Sequence, residues 1–310
     1  MSRRPNLFII GAPKSGTTSL YEYLEGHPDV FMSPVKEPGY FSPDMGGATR
    51  LPYAYPHDEA RYLALFEGAT TEQLVGEASA RYMSSREAPR LVSAFAPDAR
   101  VIAIVRNPVD MMYSWHSELV SDGIENIRDF GAAVAADEDR LAGRRVPKAG
   151  NARWYVYRPL ARFGEQLERW LQVFPREQVH LIVFDDFAAD TAVQFRALLE
   201  FLGVDPEYQP GSFAARRRSH RSRAPLRALT RTRLAHTMAH RVLPRVLGEP
   251  RAKQVVWRFR QSRLNRRPFE RPALPDGLRR RLEDELRPDV RRLSQLLGRD
   301  LERLWFDKAT

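Results

Sequence analysis

Donor groups crowd one short stretch of the chain, Gly11-Ala12-Pro13-Lys14-Ser15-Gly16-Thr17-Thr18. Four apolar residues, Leu7-Phe8-Ile9-Ile10, precede it, and Leu20 and Leu24 follow at helical spacing, so it reads as strand, loop and helix. A loop of this kind aims backbone N–H groups and the positive end of a helix at one point, which suits a phosphate or similar anion. The hydroxyls of Ser15, Thr17 and Thr18 and the ammonium of Lys14 add donors, and Gly16 belongs to the backbone cradle. A nucleotide loop of the G-x-x-x-x-G-K-[ST] kind carries its lysine after the second glycine. Gly11 and Gly16 have that separation, but Thr17 stands at the lysine's place and Lys14 comes early. An NTPase also needs a carboxylate at a neighbouring strand end to hold magnesium. The best later strand, Val101-Ile102-Ala103-Ile104-Val105, ends in Arg106, whose fork meets two phosphate oxygens without a metal.

These two places carry a resemblance. The segment from Gly11 to Thr18 resembles the 5′-phosphosulfate loop of sulfotransferases that use 3′-phosphoadenosine 5′-phosphosulfate (PAPS). Arg106-Asn107-Pro108-Val109-Asp110-Met111-Met112-Tyr113-Ser114 resembles their 3′-phosphate segment, with Arg106 and Ser114 as the phosphate-binding pair. Trp170-Leu171-Gln172-Val173-Phe174-Pro175-Arg176-Glu177-Gln178-Val179 has the flavour of bacterial members, and the likeness covers the first two thirds of the chain best. It implies PAPS as sulfuryl donor, no metal, and in-line transfer to a hydroxyl or amine with release of adenosine 3′,5′-bisphosphate. Lys14 would then stabilise the leaving oxygen, and a base must take the acceptor's proton. Glu37, in Val35-Lys36-Glu37-Pro38-Gly39-Tyr40-Phe41, resembles the catalytic glutamate of heparan-sulfate-type members; His116 is the rival, since cytosolic-type members use a histidine. Gly76-Glu77-Ala78-Ser79-Ala80-Arg81-Tyr82 has Ala78 where several relatives carry a lysine, leaving its work to Lys14, Arg81 or Lys36. Arg216, Arg217, Arg218 and Arg221 match the family's late basic loop over the nucleotide's 3′-phosphate, with Phe213 a candidate to stack on adenine.

Positioning these groups takes an alternation of short apolar strands with helices. Strands are expected at 7–10, 30–32, 74–77, 101–105 and 179–184, and helices at 59–66, 87–95, 108–120, 124–145, 160–174 and 191–202, the stretch 124–145 being exposed. That alternation predicts an α/β fold: a central parallel sheet, right-handed crossovers and helices on both faces, the three-layer P-loop type. Anion sites in such sheets lie at the carboxyl ends of strands, where both candidate sites fall. Residues 1–212 form the expected core, and 213–310 a basic loop with a helical extension packed on it, the whole expected to be one continuous domain. In the extension, 226–265 reads as basic amphipathic helices, and Leu278, Leu282, Leu286, Val290, Leu293, Leu297, Leu301 and Leu304 recur at helical spacing, with Pro288 expected to split two helices.

Composition narrows the partners. The 310 residues contain no cysteine, which excludes disulfides and thiolate chemistry and suits a reducing compartment. The apolar run after Met1-Ser2-Arg3-Arg4 is too short for a secretory signal and no stretch suits a membrane span, so a cytoplasmic protein is expected. The net charge of +10 is local: 18 basic and two acidic residues lie between Arg216 and Pro272, against 31 and 37 elsewhere. That segment could meet an anionic acceptor or membrane surface. Two other classes stay open, a P-loop kinase or NTPase and a non-catalytic basic anion binder, but no nucleic-acid-binding motif is evident. Tyr40, Phe41, Tyr53, Tyr55 and Trp154 suggest an aromatic cleft for a small-molecule, glycan or lipid-linked acceptor.

Overall fold

Runs of mostly apolar residues make the interior strands of this chain, because a parallel strand covered on both faces has no polar side to show. The computed structural model describes residues 3–45, 58–147, 151–213, 220–222, 266–268 and 272–307, the two three-residue pieces by backbone alone. Strands β1 (Leu7–Gly11), β2 (Val30–Met32), β3 (Leu74–Ala78), β4 (Arg100–Val105) and β5 (Val179–Val183) form one sheet in the order β2-β3-β1-β4-β5. Every pairing in it is parallel. The chain reverses its direction of travel across the sheet at β1, so β3 and β4 flank it and open a crevice at its carboxyl end.

Helices cover both faces: α1 (Thr17–Glu25), α2 (Glu59–Leu63), α3 (Ala88–Phe95), α4 (Pro108–Ser121), α5 (Phe130–Ala135), α6 (Asp137–Leu141), α7 (Tyr157–Leu160), α8 (Phe163–Leu171), α9 (Phe184–Ala189) and α10 (Thr191–Leu202). One buried cluster joins Leu7, Ile9, Ile102 and Ile104 to α1 and α10; the other joins Phe8, Val101 and Val105 to α4, α8 and the chain's end. The α/β sandwich is as expected. Residues 124–145 differ, forming only two short helices, and Glu125 ahead of them and Asp137 and Arg140 in the second are buried rather than exposed. Arg140 pairs with Glu125 at 2.9 Å, Tyr157 donates to the same carboxylate at 2.8 Å, and Asp137 accepts from the backbone of Tyr157 and Arg158. Charge in this stretch marks internal ties.

At the end of the chain, α11 (Asp276–Leu297) runs unbroken through Pro288, contrary to the expected split. Leu282, Leu286, Val290 and Leu293 form one buried stripe across the proline, while Pro288 and Asp284 lie exposed, so the carbonyl that the proline leaves unpaired faces solvent. Asp289, next in sequence, accepts from the N–H groups of Gly164 and Glu165 at 2.9 Å each and so caps α8 from outside. α12 (Leu301–Trp305) follows, and Arg299 pairs with Asp186. Strands β6 (His220–Ser222) and β7 (Arg266–Pro268) pair antiparallel, with β6 beside α4. The basic helices expected at 226–265 lie outside the described residues. No helix among the described residues is long and apolar enough to cross a membrane.

Candidate active site

The anion loop leaves β1 at Gly11 and enters α1 at Thr17, with Gly16 at the cap. Gly16 has no side chain to occupy the first N–H groups of α1, so these point at the crevice and remain suited to an anion. Ser15 and Thr17 are buried in the cradle. Gly11 is tight as well: a Cβ there would lie 2.6 Å from Met83 Cβ and 2.9 Å from the carbonyl oxygen of Ala80.

Arg106 emerges where β4 ends. Its guanidinium lies 4.8 Å over the ring of Phe184 and donates to the carbonyl of Lys14 at 3.3 Å, joining the two strand ends. Asp110, the alternative structural partner for Arg106 by position, pairs with Arg279 at 2.8 Å. Asn107 accepts from the N–H groups of Val109 and Asp110 and so starts α4. Lys14 forms an ion pair with Glu118 of α4. Ser114, one turn before Glu118, shares that helix face and is therefore turned toward the anion loop.

His116 is turned elsewhere. It is 3% exposed, its Nε2–H donates to the carbonyl of Ile127 at 2.9 Å, and its ring packs on Phe130 and Tyr157. Burial pushes its pKa down.

Glu37 follows β2 in a loop and has a φ of 61°, in the left-handed region that a glutamate seldom adopts. Its backbone N–H donates to the carbonyl of Ala78 at 2.8 Å, and its carboxylate accepts from the N–H of Ala80 at 2.9 Å and pairs with Lys36 at 2.8 Å. Ala80 is the residue whose carbonyl crowds Gly11, so the Glu37 carboxylate sits one residue's width from the start of the anion loop. Arg81 lies 4.3 Å over the ring of Trp154; burial pulls its guanidinium down and the Glu37 carboxylate opposes that shift. The side chain of Ala78, at the position read as a missing lysine, is buried in the cluster under α1.

Thus Lys14, Ser15, Thr17, Arg106, Glu37 and Lys36 gather at the carboxyl ends of β1, β4 and β2, with Ser114 facing them, while His116 does not join them. Arg216, Arg217 and Arg218 lie outside the described residues, and Arg221 is placed only as backbone in β6 beside α4. Phe213 packs on Tyr23 at 5.3 Å and Phe195 at 5.9 Å, within the hydrophobic layer beside α1. Phe41 and Trp154 are likewise buried rather than cleft-lining, Tyr40 stacks on Tyr62 at 4.4 Å, and Tyr53 and Tyr55 lie outside the described residues. Sequence reasoning missed Glu118, Phe184 and above all Glu77. A carboxylate within Leu74-Val75-Gly76-Glu77-Ala78 was the available signal, because an acid in an interior strand must be partnered.

A family model described as a sulfotransferase domain matches residues 4–218. Heparan sulfate glucosamine 3-O-sulfotransferase 6 of Homo sapiens is 26% identical over 303 residues, covering 96% of this chain and 73% of that protein. Carbohydrate sulfotransferase 15 of Mus musculus is 28% identical, over 65% of this chain and 44% of that protein. Bifunctional heparan sulfate N-deacetylase/N-sulfotransferase 3 of Homo sapiens is 29% identical, over 66% and 23%. The chain therefore spans less than half of two of these three relatives. The crystal structure of a sulfotransferase from Alicyclobacillus acidocaldarius superposes with a TM-score of 0.71 at 30% identity, covering 96% of this chain and 97% of that one.

Proposed function

The chain belongs to the family of PAPS-dependent sulfotransferases, and from that premise we propose that it moves the sulfuryl group of PAPS onto a sugar hydroxyl or amine. Membership in that family replaces the kinase and non-catalytic readings that the residues alone left open. The carbohydrate substrates in the names of its relatives favour a glycan over a small-molecule or lipid-linked acceptor.

The observation that carries the donor site is the junction of the two strand ends through the Arg106 to Lys14 hydrogen bond. The first N–H groups of α1, with Ser15, Thr17 and Thr18, hold the 5′ phosphate and sulfate oxygens. Arg106 and Ser114 hold the 3′-phosphate, together with the late basic loop that includes Arg221. Lys14 meets negative charge as it develops on the leaving phosphate oxygen. Glu37, held by Ala80 and Lys36, takes the acceptor's proton. Lys36 takes the part that the alanine at position 78 leaves vacant. These cationic and backbone groups do the charge stabilisation that a magnesium ion does in an NTPase.

Calorimetric titration with adenosine 3′,5′-bisphosphate in EDTA tests the donor site. Tight binding that exceeds ATP binding and weakens about 10–100-fold in Arg106→Ala is the expected result, since one charge-assisted contact is worth about 1.5–3 kcal/mol. No binding, or binding of magnesium-ATP alone, overturns it.

A further inference from the structure

Behind the Glu37 loop lies a buried carboxyl group that the transfer chemistry does not use. Glu77 is fully buried in β3, opposite Phe8 of β1. Its Oε1 accepts from the hydroxyl of Tyr62 at 3.0 Å and from that of Tyr82 at 2.7 Å, and its Oε2 accepts from Ser79 Oγ at 2.7 Å. Two of these hydroxyls face the other way as acceptors. Ser79 Oγ accepts from the N–H of Gly39 at 3.0 Å, and the Tyr82 hydroxyl accepts from the N–H of Phe41 at 3.2 Å. Both N–H groups belong to the loop that presents Glu37, itself pinned to Ala78 by its own N–H.

We propose that Glu77 is a positioning residue which, acting through Ser79 and Tyr82, fixes the Glu37 loop in register, and that only its ionised form does so. Each relay hydroxyl has one proton. With Glu77 ionised, that proton goes to the carboxylate and the hydroxyl's lone pairs receive the loop N–H. A protonated Glu77 must itself donate to a hydroxyl neighbour. Ser79 and Tyr82, each at 2.7 Å, are nearer than Tyr62 at 3.0 Å, which is not a partner of either loop N–H, and the Ser79 or Tyr82 hydroxyl that accepts from it turns its own proton toward the loop. An N–H of the loop then meets a donor and lets go.

The groups facing Glu77 are few: Tyr62 from α2, with Tyr40 stacked on it, Tyr82 from the segment after β3, and Glu37 from the loop itself. Burial is the main influence and, with the Glu37 charge, pushes the Glu77 carboxyl up to about 7, although its three hydroxyl donors act against it. The change of state therefore falls in the neutral range.

This inference rests on the reading of Glu37 as the base, but loop order can be measured without an acceptor. Hydrogen exchange of the full chain, followed by mass spectrometry from pH 6 to 8 and normalised for intrinsic exchange, reports protection of the segment 37–42. Protection is expected to fall about tenfold per pH unit below 7 in the wild type, and to be low and independent of pH in Glu77→Gln. Titration with adenosine 3′,5′-bisphosphate on the same samples is expected to be unchanged. If Glu77→Gln does not fold, Ser79→Ala decides, and should expose the Gly39 amide while leaving residues 7–20 protected. PH-independent protection in the wild type, or wild-type protection in folded Glu77→Gln or Ser79→Ala, overturns the proposal. Failure of Glu37→Gln to slow transfer would overturn the base assignment and leave the loop result standing.

Discussion

The imidazole of His116 donates its ring N–H to Ile127 and lies between Phe130 and Tyr157, whereas the Glu37 carboxylate has an exposed edge in the crevice. Substitution should separate them cleanly. Glu37→Gln removes the proton acceptor while keeping the hydrogen bond from Ala80, so sulfuryl transfer to a glycan acceptor is expected to fall by about 10²–10⁴-fold with nucleotide affinity intact. His116→Ala empties an aromatic pocket and should destabilise the protein by about 2–4 kcal/mol while folded molecules keep their turnover. Transfer assays beside thermal melts check both, and a folded His116→Ala protein without activity would reverse the assignment.

At the scale of elements, the site is held by close approaches that sequence pattern does not announce. α8 has no cap from its own chain neighbours, and Asp289 of α11 supplies one. Asp289→Ala should cost about 1–2 kcal/mol, read as a lower denaturant midpoint at unchanged slope. Gly164→Ala should cost about as much or more, because its Cβ would lie 2.5 Å from the carbonyl of Asp289 and push α11 off α8. Neither change touches the anion loop, so nucleotide binding should persist in both. The strands, α1 and α4 were legible because continuous apolar runs and turn residues determine them locally, as Leu7 to Thr18 and Val101 to Ser114 illustrate. The candidate site was legible where donors cluster in sequence, in the loop and at Arg106. Glu77, Glu118 and Asp289 were not, since each finds its partners far along the chain. Pro288 misled for the same reason: a helix ends at a proline on local grounds, and here a buried stripe on the opposite face carries it through.

Across the whole molecule, burial of titratable groups sets the shape of stability against pH. Glu77, raised to about 7 from an unfolded value near 4.5, holds a proton in the native state that the unfolded chain has released, so its contribution is present at low pH and lost as pH rises through 7. His180, pushed by burial down to about 4, has the opposite sign: only the unfolded chain takes its proton below 6.5, and stability falls on acidification. The two slopes oppose each other between 4.5 and 6.5, and Glu77 acts alone above that. Glu77→Gln should therefore gain on the wild type between pH 5 and 8 by on the order of 3 kcal/mol, seen as a narrowing or reversed difference in melting temperature. A constant difference would mean that the carboxyl is not protonated in the native protein. The same buried layer bears on how many cooperative units the chain has. Leu282, Leu286, Val290, Leu293 and Trp305 share one cluster with Phe8, Val101 and Trp170, so the C-terminal helices close the core that the sheet begins. Separating them would uncover that face on both sides. A single calorimetric transition is expected, with the C-terminal helices and the sheet melting together at every pH. Two resolved transitions would instead divide the described core from its C-terminal helices.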